Sequence, residues 1–168
     1  MGHYDSCRDP VIYGPNSRYP KIKWTLETLK ELNFEFEKTS YCVNGSRGFN
    51  NVECMDTHMR MFVPKGEENS YRLVLGGARG ADSLAKDWAI KNGVEYVEVK
   101  PDWNKHGKKA GVLRNIDMLD NYDVSMLISF WDGSSKGTYQ AIEYAISKNI
   151  PVHRIYYLED APTDLKDW

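Results

Sequence analysis

The chain has 168 residues, a formal net charge of −2, and 41% hydrophobic and 27% charged residues. These values fit one globular domain and argue against a protein that coats DNA or a membrane through bulk charge. Three cysteines without CxxC spacing favour a reducing compartment over a disulfide framework. The first residues lack a signal-peptide pattern, and no apolar run is long enough to cross a bilayer, so we expect a cytoplasmic protein without membrane partners.

Residues 1–39 are predicted to form an N-terminal extension. Proline and glycine interrupt regular structure over residues 1–20. Apolar residues then recur at helical spacing between Ile22 and Leu32, which predicts one amphipathic helix over 22–33.

The segment 40–157 alternates apolar strand patterns with helical patterns. We predict strands at 41–44, 71–75, 94–99, 124–130 and 151–156, helices at 50–62, 81–92, 111–121 and 138–148, and loops at 64–70 and 100–110. This alternation predicts an α/β fold, a Rossmann-like, doubly wound, mainly parallel sheet of about five strands in three layers. Ligands bind such sheets where the strand order reverses, here between the first and fourth strands. A polar tail is expected over 158–168.

Three strand-to-helix loops share one design, because each has at least two glycines, a cation and a following helix. They are Gly45-Ser46-Arg47-Gly48-Phe49, Gly76-Gly77-Ala78-Arg79-Gly80-Ala81-Asp82 and Gly133-Ser134-Ser135-Lys136-Gly137-Thr138. Glycine lets the backbone approach a ligand, the helix N-terminus offers free N–H groups, and Arg or Lys binds phosphate oxygens. Together they predict an anion site built from three sides, with the 76–82 loop in the middle.

The lysine-rich segment 101–115 follows the third strand and should lie at the same edge of the sheet. Trp103 could stack on a base or plug the sheet edge, and Lys108 could contact a phosphate. Arg114 and Asn115 could contact a ligand or hold the loop internally.

Other chemistry-bearing residues are weaker candidates. Cys54 and His58 have helical i, i+4 spacing, but no second pair at a fitting distance accompanies them, so we predict no metal site. Cys42 lies in a strand pattern and is predicted to be a core residue.

Taken in order over about residues 40–157, these motifs resemble the YspA/YpsA-related branch of the SLOG superfamily, which also includes the DprA/Smf proteins and the LOG nucleotide hydrolases. The resemblance is carried by the three glycine-rich loops together with Trp88-Ala89, Asp102-Trp103, Gly107-Lys108, Ala110-Gly111, Arg114-Asn115 and Met118. It implies a Rossmann-like sheet, a nucleotide or nucleotide-derived ligand, and self-association into a homo-oligomer.

One departure from the LOG pattern bears on catalysis. LOG enzymes resemble PGGxGTxxE at the third loop, and Gly137-Thr138 align with its GT, but its glutamate falls near Gln140 or Ala141. Gln140 cannot stabilise an oxocarbenium-like transition state as a carboxylate does. The candidate carboxylates for an enzyme are therefore Asp82 and Glu143.

We accordingly expect a module that binds a nucleotide or nucleotide-derived phosphate ligand, as a sensor or a sequestering protein. A LOG-like hydrolase that cleaves an N-glycosidic or phosphate-ester bond is the first alternative, and single-stranded nucleic-acid binding is the least favoured. No cofactor other than the nucleotide-like ligand is expected, and the tyrosine- and asparagine-rich composition suits a phage-encoded protein. The residues expected to contact the ligand are Gly45, Ser46, Arg47, Gly76, Gly77, Ala78, Arg79, Gly80, Asp82, Trp103, Lys108, Arg114, Asn115, Gly133, Ser134, Ser135, Lys136, Gly137 and Thr138.

Overall fold

A computed structural model describes the backbone of two short N-terminal segments and the whole of residues 37–158. The chain divides into two units, Met1–Glu37 and Lys38–Trp168. In the first unit, β1 (Val11–Tyr13) pairs antiparallel with β2 (Lys23–Thr25). The predicted helix over 22–33 is therefore wrong at its start, because pairing with β1 overrides the local apolar spacing. Its remainder, 26–33, and nearly all of the 158–168 tail lie outside the described residues.

The second unit contains a five-stranded parallel sheet, as the alternation predicts. Its strands are β3 (Thr39–Gly45), β4 (Tyr71–Leu75), β5 (Glu95–Glu98), β6 (Val124–Trp131) and β7 (Val152–Tyr156). Their order across the sheet is β5-β4-β3-β6-β7, and every neighbouring pair is parallel. The order reverses between β3 and β6, which confirms the predicted switch point and the Rossmann-like fold class.

Helices connect the strands and cover both faces of the sheet. They are α1 (Val52–Phe62), α2 (Ala81–Asn92), the short α3 (Trp103–His106), α4 (Ala110–Asn121) and α5 (Lys136–Ser147). The loops predicted over 64–70 and 100–110 are partly helical, since 3₁₀ turns form at Glu68–Ser70 and Gly107–Lys109 and α3 lies within the second. None of the helices in the described part of the chain is long and apolar enough to cross a membrane.

The core lies on both faces of the sheet because the side chains of each strand alternate between them. On one face Val43, Leu75 and Phe130 pack with residues of α1 and α2. On the other face Cys42 and Val74 pack with residues of α4 and α5, so the predicted core position of Cys42 is confirmed. Helices thus cover both faces of the sheet, and a ligand can reach the sheet at the C-terminal ends of its strands.

The three glycine-rich loops meet at that edge, in a lateral order that corrects one expectation. We call them the first loop (45–49), the second loop (76–82) and the third loop (132–138). The first loop is the middle one, because β4 lies on one side of β3 and β6 on the other. The second loop, which we expected in the middle, lies toward β5. The physical reason is that successive strands are added on one side of β3 up to β5 and on the other side from β6 onward, which no single loop sequence encodes.

Candidate functional site

A cleft of about 1040 Å³ lies at the C-terminal ends of the strands, beside the switch point. We call it the switch-point cleft. Sixteen of the nineteen residues expected to contact a ligand line it, namely Gly45, Ser46, Arg47, Gly76, Gly77, Ala78, Arg79, Asp82, Trp103, Lys108, Arg114, Asn115, Ser135, Lys136, Gly137 and Thr138. The fold therefore brings together most of the residues that the sequence pattern selected.

Four candidate residues are not part of the lining. Gly80, Gly133 and Ser134 belong to the loops but do not face the cleft. Glu143 is exposed on α5, outside the lining, whereas Gln140 is within it. Of the two candidate catalytic carboxylates, only Asp82 is thus placed to meet a ligand.

The cleft also contains residues that the sequence interpretation did not select. Asn44, Lys100 and Gln140 line it. Asn44 carries a signal that could have identified it, because it is a buried polar residue at the C-terminal end of an apolar strand. Lys100 has no distinguishing pattern, since its position depends on the turn that follows β5.

The charge of the lining is strongly positive. Six cationic side chains line the cleft, and they are Arg47, Arg79, Lys100, Lys108, Arg114 and Lys136. Two carboxylates, Asp82 and Asp132, face them. The chain as a whole carries −2, so positive charge is concentrated here against the overall balance. Such a concave cationic surface attracts anions and raises their local concentration.

Ser46 ties the first loop to the third loop. Its buried hydroxyl accepts a hydrogen bond from the Asp132 N–H at 2.9 Å and lies at hydrogen-bond distance, 3.0 Å, from the Ser135 hydroxyl. The Ser46 N–H donates to the Phe130 carbonyl oxygen at 2.9 Å. Asp132 in turn accepts from the backbone N–H groups of Ser134 and Ser135. Desolvation acts to raise the pKa of Asp132, but these hydrogen bonds hold it below its usual value. The carboxylate is therefore ionised, and its hydrogen bonds are made within the loop.

The N-terminus of α5 is left open to the cleft. Ser135 is the N-cap, but its hydroxyl makes no capping bond to the helix because it faces Ser46 and Asp132. The first N–H groups of a helix have no partner within the helix, and here they belong to cleft residues such as Gly137 and Thr138. An anion in the cleft would meet these N–H groups and the positive end of the helix dipole.

Gly80 explains why the second loop carries a glycine outside the lining. Its φ is +79°, and a Cβ there would collide with the carbonyl oxygens of Ser46 and Arg47. Beside it, the Ala81 N–H donates to the Ser46 carbonyl oxygen at 3.2 Å. The second loop thus packs directly on the backbone of the first loop, and only a glycine permits this approach.

Arg114 is held by the protein itself. Its guanidinium donates to the carbonyl oxygen of Gly76 and to Asn115 Oδ1, the latter at 2.8 Å. A Cβ at Gly76 would lie 2.6 Å from Arg114 Nη1, so the absence of a side chain there makes room for the guanidinium. Arg114 was expected either to contact a ligand or to hold the loop internally, and its hydrogen bonds show the second role. It also lines the cleft.

Asp82 is the most unusual group in the cleft. It lies in the first turn of α2 and is 6% exposed. Its Oδ2 accepts from the Ala78 N–H at 3.1 Å, but its buried Oδ1 has no hydrogen-bond partner. Burial raises the pKa of Asp82 to about 6, although the Ala78 N–H and the Arg114 guanidinium both act to lower it. Asp82 is therefore mostly ionised at neutral pH, and its ionisation there destabilises the folded protein.

Trp103 stands at the rim of the cleft rather than against the sheet. It begins α3, lines the cleft and is 55% exposed. Gly111 lies beside the ring, since a Cβ there would come within 3.8 Å of it, which is van der Waals contact. An exposed indole face of this kind is a platform for an aromatic ligand group.

The Cys54–His58 pair does not point to the cleft. His58 Nδ1 lies 3.1 Å from His153 Nε2, and the two rings pack among aromatic side chains of the core edge. Burial lowers the pKa of both histidines, which favours the neutral rings. Within residues 37–158, no three His, Cys, Asp or Glu side chains cluster as a metal site would require.

The sheet order, the two helical layers and the cleft at the switch point define a Rossmann-like α/β protein. A family model described as the YspA, cpYpsA-related SLOG family matches residues 43–106. The chain is also 44% identical over 85 residues to the gene 61 protein of Mycobacterium phage D29, which covers 48% of this chain and 67% of that relative. The chain belongs to the YspA, cpYpsA-related SLOG family.

Solved structures agree at the level of the fold. DNA processing protein A (DprA) from Streptococcus pneumoniae superposes with a TM-score of 0.56 at 20% identity, covering 73% of this chain and 52% of its own. The structure of TM1055 gives a TM-score of 0.50 at 20% identity, covering 68% of this chain and 72% of its own. This chain therefore spans about half the length of the DprA structure, and at such identity the likeness concerns the fold alone.

Proposed function

We propose that the switch-point cleft binds a nucleotide or nucleotide-derived ligand, with its phosphates on the open N-terminus of α5 and its base against Trp103. The observation that carries this proposal is the set of six cations that line one cleft together with the first residues of α5, a helix without a side-chain cap. Phosphate oxygens match both features, because they accept hydrogen bonds and carry negative charge.

The protein in this proposal is a binding module, a sensor or a sequestering protein. Arg114 and Asp132 are committed to the loops through hydrogen bonds, so they shape the cleft and leave binding to the exposed cations. Arg79 and Lys136 are exposed lining residues that make no ion pair among the described residues. The same holds for Arg47, Lys100 and Lys108, but Lys136 is the first residue of α5 and Arg79 directly precedes the N-cap of α2, so we expect these two side chains to contact phosphates.

A thermal-shift and calorimetric screen tests the proposal with nucleoside mono-, di- and triphosphates, dinucleotides, cyclic dinucleotides and short oligonucleotides. A ligand at a hundredfold excess over its Kd raises the free energy of unfolding by about 2.7 kcal/mol. We expect Arg79→Gln together with Lys136→Gln to weaken binding at least tenfold. Lys91→Gln, an exposed lysine at the other end of α2, is the matched control. If no member of the screen binds at millimolar concentration, the proposal is wrong.

Hydrolysis of the bound nucleotide is the second candidate, and one observation favours it. A carboxyl group with a pKa of about 6 in a cleft can exchange a proton near neutral pH, as a general acid or base must. Incubation with nucleoside monophosphates, followed by chromatography for released base and phosphate, tests this candidate. Turnover that Asp82→Asn abolishes would support it, and turnover at background for every substrate would refute it.

A further inference from the structure

The floor of the switch-point cleft differs chemically from its rim. Asp82 is 6% exposed and Asn44 is 8% exposed, and both line the cleft. Asp82 Oδ1 and Asn44 Oδ1 are buried acceptor atoms without a hydrogen-bond partner. Leaving a buried acceptor unpaired destabilises a fold, and more so when the group is ionised, so such atoms indicate a missing donor.

Phosphates cannot supply that donor. Their oxygens are acceptors, and their charge would repel the ionised Asp82 carboxylate. The six cations of the cleft therefore account for one part of a ligand only, and the floor requires another part that is neutral and carries O–H or N–H groups.

The lateral order of the strands places this floor between the two other features of the cleft. Trp103 follows β5, Asp82 follows β4, Asn44 is the last residue but one of β3, and the open N-terminus of α5 follows β6. The backbones beside the two acceptors are joined, since the Ala81 N–H donates to the Ser46 carbonyl oxygen. An aromatic platform, a floor of acceptors and an anion site thus succeed one another over about 14 Å, the span of four neighbouring strands.

We infer that Asp82 and Asn44 bind the vicinal hydroxyl groups of a ribose, so that the cleft selects ribonucleotides over deoxyribonucleotides and over inorganic phosphate chains. The order platform, floor and anion site matches base, sugar and phosphate in a nucleotide. A cis-diol presents two donors to the two unpaired acceptors. This inference rests on the proposed function and adds to it the sugar that the site requires.

The test compares adenosine and guanosine 5′-triphosphates with their 2′-deoxy and 3′-deoxy counterparts and with tripolyphosphate, by calorimetry at pH 7.5. We expect each ribonucleotide to bind about tenfold more tightly than either deoxy counterpart, because a hydrogen bond to a charged group is lost. Asp82→Asn and Asn44→Ser should each reduce that ratio toward one. Asp87→Asn removes the same charge from an exposed position of α2 outside the lining and should leave the ratio unchanged.

The outcomes separate this inference from the proposal on which it depends. If none of these probes binds, tripolyphosphate included, the nucleotide proposal fails for triphosphates and the inference fails with it. If ribonucleotides and deoxyribonucleotides bind equally well, nucleotide binding stands and ribose selection is overturned. If Asp82→Asn and Asn44→Ser weaken both sugars equally, the floor binds an amino group of the base, which also overturns it. Thermal unfolding of each variant shows that the comparison is made on folded protein.

Discussion

The hydroxyl of Ser135 lies 3.0 Å from the hydroxyl of Ser46, and this bond joins two loops that are 89 residues apart in the chain. Ser135 also donates to Asp132, whose own N–H donates to Ser46. These three residues form one closed network at the switch point. The integrity of the cleft therefore depends on small hydroxyl groups in addition to the glycines that the sequence makes conspicuous.

Ser46→Ala and Ser135→Ala should each lower the free energy of unfolding by about 1–3 kcal/mol, because each leaves a polar group of the network without its partner. The double variant should lose clearly less than the two single losses combined, since both substitutions break the same bond. Urea denaturation measures all three variants. Ser147→Ala, at an exposed serine near the end of α5, serves as the control and should change stability by less than about 0.5 kcal/mol. Additive losses would show that the network is not a unit.

Gly80→Ala should destabilise the protein by at least about 1–3 kcal/mol, because an alanine would adopt an unfavourable φ of +79° and would meet the backbone of the first loop. Gly137→Ala is the matched control in the first turn of α5, where a Cβ meets nothing within 4 Å. Alanine there should be neutral or stabilising, since it has the higher helix propensity. Chemical denaturation distinguishes the two, and equal stability of both variants would contradict the packing of the second loop on the first.

Asp82→Asn should stabilise the ligand-free protein at neutral pH. The pKa of Asp82 is raised from 3.8 to about 6 in the fold, so the unfolded chain ionises first as the pH rises between these values. Each pKa unit corresponds to about 1.4 kcal/mol, so the ionised carboxylate costs the fold about 3 kcal/mol above pH 6 and nothing below pH 3.8. Urea denaturation at pH 4, 5.5 and 7.5 should show a gain for the variant that grows with pH. A variant less stable than the parent at pH 7.5 would refute this electrostatic account.

Trp103→Leu should weaken binding of nucleotides about fivefold to tenfold or more, since base–aromatic stacking contributes about 1–3 kcal/mol. Binding of tripolyphosphate should be unaffected, because it has no base. Fluorescence titration and calorimetry measure the two. Tyr139→Leu removes another partly exposed aromatic ring, one that does not line the cleft, and should change neither affinity. If the affinities for nucleotide and for tripolyphosphate fell equally, Trp103 would shape the rim of the cleft and would not recognise the base.

Much of this fold was predictable because its signals are local. The strand at 71–75 and the helix at 81–92 have the predicted bounds, and Gly93 ends that helix with a φ of +70° as a C-cap glycine should. Glycine-rich turns after apolar strands likewise identified most of the cleft lining. Local spacing failed to predict Lys23–Thr25, where pairing with the strand Val11–Tyr13 decides the conformation.

What the sequence did not provide were the relationships between distant residues. Gly80 looked like a ligand-binding glycine, yet its neighbours are the carbonyl oxygens of the first loop. Asn44 was passed over because its burial in the lining of the cleft appears only once the sheet is assembled. Lateral loop order and burial of single polar atoms are properties of the assembled sheet, and no local pattern specifies them.

The bonds that join the three loops have a kinetic consequence. Because the first loop is fastened to the second through Ala81 and to the third through Ser135, the cleft is already shaped before a ligand arrives. Association should then be a one-step encounter, with an observed rate that rises linearly with ligand concentration and reaches no plateau. Ligands of different affinity should differ mainly in how long they remain bound.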